Sequence, residues 1–136
     1  MSVDIKTVPN GALYPLSGIV TVALNAAAAT TLYTVPTGYT AVIDHVDLIL
    51  GADASTSVLT IGRSTALTDF LGAQTLSSLD ADGDKAELRP VPHATIPVLQ
   101  KTYAAGVIIQ VNVTTGNGGA TNYMILWGYL ALSAAI

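Results

Sequence analysis

An all-β domain, a single-domain β-sandwich or jelly roll of about eight strands behind an extended N-terminal arm, is predicted by three features of the sequence. β-branched residues are abundant, with 13 Val, 10 Ile and 17 Thr in 136 residues, and such side chains favour strands over helices. Turn formers, 12 Gly and 6 Pro, recur between short apolar segments. No long helix is indicated anywhere along the chain. The length suits one domain with its own core: residues 1–17 read as the arm and 18–136 as the sandwich.

Each element has a local reason. Pro9-Asn10-Gly11, Tyr14-Pro15 and Ser17-Gly18 interrupt any regular structure in the arm. Ile19 to Leu24 and Thr30 to Val35 read as strands, and Pro36-Thr37-Gly38 as a tight turn. Thr40 to Leu50 reads as a long strand. Strict alternation would put Val42, Asp44, Val46, Leu48 and Leu50 on one face and Ile43, His45, Asp47 and Ile49 on the other. A polar loop, Gly51 to Ser57, leads to a short strand from Val58 to Ile61. Ala66 to Leu79 is ambiguous, because Leu67, Phe70 and Leu71 have helical spacing and admit one or two helical turns. Asp80-Ala81-Asp82-Gly83-Asp84 reads as an acidic turn, and Lys85 to Leu88 and Ala94 to Leu99 as short strands around Pro90 and Pro92.

The last two strands are the clearest. Val107, Ile109, Val111 and Val113 alternate with Ile108, Gln110, Asn112 and Thr114, the pattern of a half-buried strand. Gly116-Asn117-Gly118-Gly119 reads as a hairpin loop. The return strand, Thr121 to Leu132, is apolar on both faces: Tyr123, Ile125, Trp127 and Tyr129 on one, Met124, Leu126 and Leu130 on the other. Such a strand is normally covered on both sides, and the second cover can be another subunit. Tyr123, Ile125, Trp127, Tyr129, Leu132 and Ile136 are therefore the expected subunit interface.

Charge is scarce. Asp, Glu, Lys and Arg make up 10% of the chain and apolar residues 51%, against roughly 25% charged in an ordinary soluble domain. The net charge is −4, and the five basic residues are scattered. This disfavours nucleic acid and anionic membranes as partners. The start lacks the basic and apolar regions of a signal peptide. Met124 to Ile136 is too short for a membrane helix, which needs roughly 20 residues. There is no cysteine, so no disulfide or thiolate metal site is expected, in keeping with synthesis in a reducing cytoplasm.

Several patterns invite chemistry. His45-Val46-Asp47 with His93 has the form H-x-D…H, similar to the two-histidine, one-carboxylate triad of iron(II) oxygenases. His45 and Asp47 would share one side of their strand, but no basic residue for a co-substrate follows His93 closely, and a surface or interface histidine beside an acid is the simpler reading. The run Asp80 to Asp84 places Gly fourth rather than sixth and so departs from an EF-hand. Asp80, Asp82, Asp84 and Glu87 still allow a looser calcium site, against the simpler solvated turn. The glycines at 116–119 open no helix and cradle no phosphate. No Gly-x-Ser-x-Gly elbow is present, and alternation sends Asp44 and Asp47 to opposite faces, wrong for a shared acid/base site. Asn112-Val113-Thr114 is a sequon, expected to be unused without secretion. Tyr39, Tyr123, Trp127 and Tyr129 suggest either a sugar platform or core and interface packing, the latter favoured. No catalytic activity and no cofactor are expected.

Leu32 to Ile43, with its Tyr33-Thr34-Val35-Pro36-Thr37-Gly38-Tyr39 turn, resembles the opening of small sandwich proteins in tailed-phage structural modules. The strand from Gly106, the glycine loop and the Trp127-Gly128-Tyr129-Leu130 ending are similar too. Size and low charge resemble the jelly-roll decoration, or cement, proteins of phage heads. The resemblance implies a virion protein, made in the host cytoplasm. It would bind the outer capsid surface as a homodimer or homotrimer and clamp neighbouring major capsid protein subunits. It carries over no active-site residue. Tail and fibre proteins share similar sandwiches, which leaves a carbohydrate-binding module as the alternative.

Overall fold

In a computed structural model of the chain, the described residues are 12–91, 95, 97–99 and 101–133. They form ten strands: β1 (Tyr14–Pro15), β2 (Val20–Val22), β3 (Ala28–Thr34), β4 (Tyr39–Ile49), β5 (Val58–Arg63), β6 (Ala66–Thr75), β7 (Lys85–Leu88), β8 (Lys101–Tyr103), β9 (Ile108–Thr115) and β10 (Asn122–Leu132). All pairings are antiparallel. Two sheets pack face to face as a β-sandwich, one of six strands and one of four in the order β3-β9-β5-β6.

The six-stranded sheet has only four positions across it. β1 and β2 lie one after the other along one edge of β10, and β7 and β8 do the same along the far edge of β4. The order is β1/β2, β10, β4, β7/β8. Merging the split edges gives eight strand positions, the number expected from the sequence. Successive positions alternate between the sheets except at the β5-β6 hairpin.

The core follows the pleat. Leu48, Met124 and Leu126 of the larger sheet face Leu59, Ile61, Ile109 and Val111 of the smaller, all fully buried. Each such side chain contributes roughly 2 kcal/mol on leaving water. The Pro36-Thr37-Gly38 turn forms as expected: Tyr39 N–H donates to the Pro36 carbonyl, and Gly38 takes the positive φ that closes it. Asn122 is fully buried at the start of β10. Its amide donates to the carbonyls of Val22 and Gly119 and accepts from Gly51 N–H, so it ties two loops to β2.

The structure corrects five readings of the sequence. Ala66 to Thr75 is strand throughout; pairing with β5 overrides the helical spacing of Leu67, Phe70 and Leu71. The glycine loop after β9 is not a hairpin, because β9 and β10 belong to different sheets. It crosses the end of the sandwich, with Gly118 N–H on the Leu24 carbonyl and Leu24 N–H on that of Gly119. No strand occupies residues 97–99; the edge strand is β8, from Lys101. The alternation of β4 breaks at Asp44, which the register with β10 leaves unpaired between Ile43 and His45. Finally, Tyr39 packs against the core and does not join the other aromatic residues. Of the expected arm, residues 1–11 lie outside the described residues, while Tyr14–Pro15 pairs with Trp127 and Gly128 of β10.

Candidate functional site

The outer face of the six-stranded sheet can be read row by row from its register. Thr21, Tyr123, Ile49 and Lys85 form one row; Ile125, Asp47 and Glu87 the next; then Pro15, Trp127 and His45; then Tyr129, Val42 and Thr102. Four residues of the expected interface, Tyr123, Ile125, Trp127 and Tyr129, therefore share this face. Tyr123 is 41% exposed. Leu132 is 50% exposed but pairs with Tyr39 at the end of β10, off the main patch. Ile136 lies outside the described residues.

A bulge builds the centre of the face. Trp127 pairs with His45, but the next residue, Gly128, pairs with Ile43, leaving Asp44 as an extra residue in β4. A bulge of this kind re-aims side chains. Before it, Ala41 and Ile43 point into the core; after it, Val46 and Leu48 do. Gly128 is required at this point, because a Cβ there would sit 2.1 Å from the Val42 carbonyl oxygen. Asp44 and Asp47 thus do not diverge, as strict alternation implied: both contact the His45 ring.

His45 is 7% exposed and sits among three carboxylates. Its Nδ1 lies 2.6 Å from Asp44 Oδ2, a short charge-assisted hydrogen bond. Its Nε2 faces Asp47 Oδ1 at 3.5 Å and Glu87 Oε1 at 3.4 Å. The ring stacks on Trp127, with centroids 5.9 Å apart and planes 11° from parallel. The Trp127 Nε1–H is buried with no hydrogen-bond partner among the described residues. Arg89 closes the cluster, bonding Glu87 Oε1 at 2.6 Å and Asp44 Oδ2 at 3.0 Å. Its hydrogen bond holds the Glu87 carboxyl below the usual carboxylate range.

The expected constellations regroup. His45 and Asp47 come together, while His93 lies outside the described residues. Glu87 supplies the third donor: β7 pairs with β4 so that Glu87 stands opposite Asp47. Among the described residues, His45, Asp47 and Glu87 form the one group able to hold a metal ion. Asp80, Asp82, Asp84 and Glu87 do not converge; Asp84 Oδ2 instead accepts the backbone N–H groups of Asp80 and Ala81 and caps its own turn. The sugar platform loses one partner to the core, Tyr39, and one Trp127 ring face to His45. Sequence reasoning missed Arg89 and Asp44 as members of the cluster. The adjacency of Asp44 to His45 gave a signal, but the bulge that turns it gave none.

Beside the cluster, a cleft of about 270 Å³ is lined by Leu13, Val42, Val98, Leu99 and Tyr129, with Asp44, Arg89 and Lys101 as its charged groups. No protein-family model, curated protein or solved structure matches the chain. The fold and the face define a β-sandwich carrying an aromatic, partly charged outer surface.

Proposed function

We propose that the chain is a structural virion protein that decorates a tailed-phage capsid, seating the outer face of its six-stranded sheet on a coat subunit or on a second copy of itself. The observation that carries this reading is the set of adjacent rows holding Tyr123 with Ile49, then Ile125, then Trp127, an apolar and aromatic strip on an outer sheet face with Tyr123 exposed and the others half-buried. Monomeric domains seldom leave such strips uncovered, and aromatic side chains dominate protein interfaces. Three further points support it. Charge is scarce along the whole chain. The exposed Leu13, Val98 and Leu99 extend the apolar surface around the neighbouring cleft. The strand order, which we read as that of a jelly roll, is of the kind used in capsid architectures. Weak contacts of this type become effective when symmetry repeats them.

The test is to purify the protein for light scattering and to search particles produced alongside the chain by mass spectrometry. The reading expects a dimer or trimer in solution and the chain in the particle fraction, removed by mild surface stripping. A monomer at high concentration that is absent from particles would overturn it.

A further inference from the structure

We propose that His45, Asp47 and Glu87 form a binding site for a first-row divalent transition-metal ion, with zinc the best fit, and that Asp44 is its orienting residue. The inference stands on the geometry of the cluster and does not depend on the assembly reading.

The first argument is donor spacing. Zinc bonds to imidazole nitrogen and carboxylate oxygen are roughly 2.1 Å long, and tetrahedral angles then set neighbouring donors roughly 3.4 Å apart. His45 Nε2 lies 3.4 Å from Glu87 Oε1 and 3.5 Å from Asp47 Oδ1, and the three donor atoms all fall within 4.8 Å of one another. These separations exceed the range of a good N–H···O hydrogen bond, about 2.7 to 3.2 Å. The two separations from Nε2 match those of donors around a common ion.

The second argument is the histidine itself. His45 is more than nine-tenths buried, and its Nδ1 is held by Asp44 at 2.6 Å. A carboxylate on one ring nitrogen fixes the tautomer that leaves the other with its lone pair free, the arrangement that supports metal-bound histidines. Here that second nitrogen is Nε2, and it is aimed between two carboxylates. A lone pair facing two negative groups is repulsive, and either a proton on Nε2 or a cation held between them relieves it. Trp127 stacked against the ring and Arg89 on Asp44 hold the ring and its orienting carboxylate in place.

The third argument is local charge. Asp44, Asp47 and Glu87 bring three negative charges, and Arg89 is the only cation bonded to them among the described residues. Arg89 donates to the same Glu87 Oε1 that faces His45 Nε2, so an ion would share that oxygen with the guanidinium through its second lone pair. A nitrogen donor in the set favours zinc-like ions over calcium or magnesium, which prefer all-oxygen shells. Three protein donors leave at least one coordination position open toward the outer face.

The experiment uses the full-length, untagged chain, titrated with zinc, cobalt(II) or calcium chloride and followed by calorimetry. Trp127 is the sole tryptophan and stacks on His45, so its emission gives a second readout, which cobalt should quench. Zinc and cobalt are expected to bind at one equivalent, and calcium at least a hundredfold more weakly. His45→Gln and the more conservative Glu87→Gln should each weaken zinc at least a hundredfold, Asp44→Asn about tenfold, and His93→Gln not at all. Circular dichroism establishes that each variant is folded. No zinc binding by the wild type, or zinc binding unchanged in folded Glu87→Gln and His45→Gln, would overturn the proposal. So would equal affinity for calcium.

Discussion

The two sheets turn very different outer faces to the surroundings. On the four-stranded sheet, the outward rows are mostly small and neutral, with Ala29, Asn112 and Thr60 in one and Thr31, Gln110 and Gly62 in the next, and an exposed Ile108 beside Thr34 in a third. Gln110 donates to Thr31, and Thr114 to the Val58 carbonyl, while Thr60 Oγ1 is buried with no hydrogen-bond partner among the described residues. On the six-stranded sheet, the same layer holds Tyr123, Ile125, Trp127 and Tyr129, with Asp44, His45, Asp47, Glu87 and Arg89 gathered beside them. Both sheets share one core, so folding alone gives no reason for the difference. A face of neutral hydroxyls and amides suits contact with water. A face of aromatics around a clustered set of charges suits the binding roles proposed for it.

The contrast can be broken at its root by Gly128→Ala. The added methyl would meet the Val42 carbonyl, and relieving that clash means dismantling the bulge. We expect a loss of about 3 kcal/mol in urea unfolding, with the His45–Trp127 stack lost from the tryptophan emission. A second large effect separates framework polarity from site polarity. Asn122→Ala strips three backbone partners of their bonds in a buried position and should cost about 2 kcal/mol, while Trp127 emission stays unchanged.

Smaller effects sharpen the comparison. Tyr103 on β8 donates to Asp69 on β6, bridging the two sheets, and Asp69 is in turn held by Arg63. Tyr103→Phe should lower stability by about 1 kcal/mol and leave both outer faces intact. Gln110→Ala, on the neutral face, should change stability by less than about 0.5 kcal/mol and leave any association untouched.

Much of this architecture was legible in the residues. The β-branched composition, the Pro36-Thr37-Gly38 turn and the alternation from Val107 to Thr114 express local rules that the sandwich obeys. The doubly apolar run from Tyr123 to Leu130 marked the outer face as well as the core. Non-local events were hidden. The bulge at Asp44 exists because β10 approaches through a glycine, Gly128, more than eighty residues away, and no pattern within β4 encodes it. Glu87 joins His45 only through the register of β7 on β4. Ala66 to Thr75 carries apolar spacing compatible with either helix or strand, and its pairing with β5 decides between them. The glycines at 116–119 announced a turn, but a turn between strands of one sheet and a crossing between sheets look alike in sequence.

The working role of the six-stranded face is tested most directly by matched lysine substitutions on the two faces, Tyr123→Lys and Gln110→Lys, compared by sedimentation equilibrium. Both positions lie on outer strand faces, so neither change needs to disturb the core. The account predicts that Tyr123→Lys shifts the protein to monomer while Gln110→Lys associates like the wild type. Equal association of the two variants, or loss confined to Gln110→Lys, would contradict it.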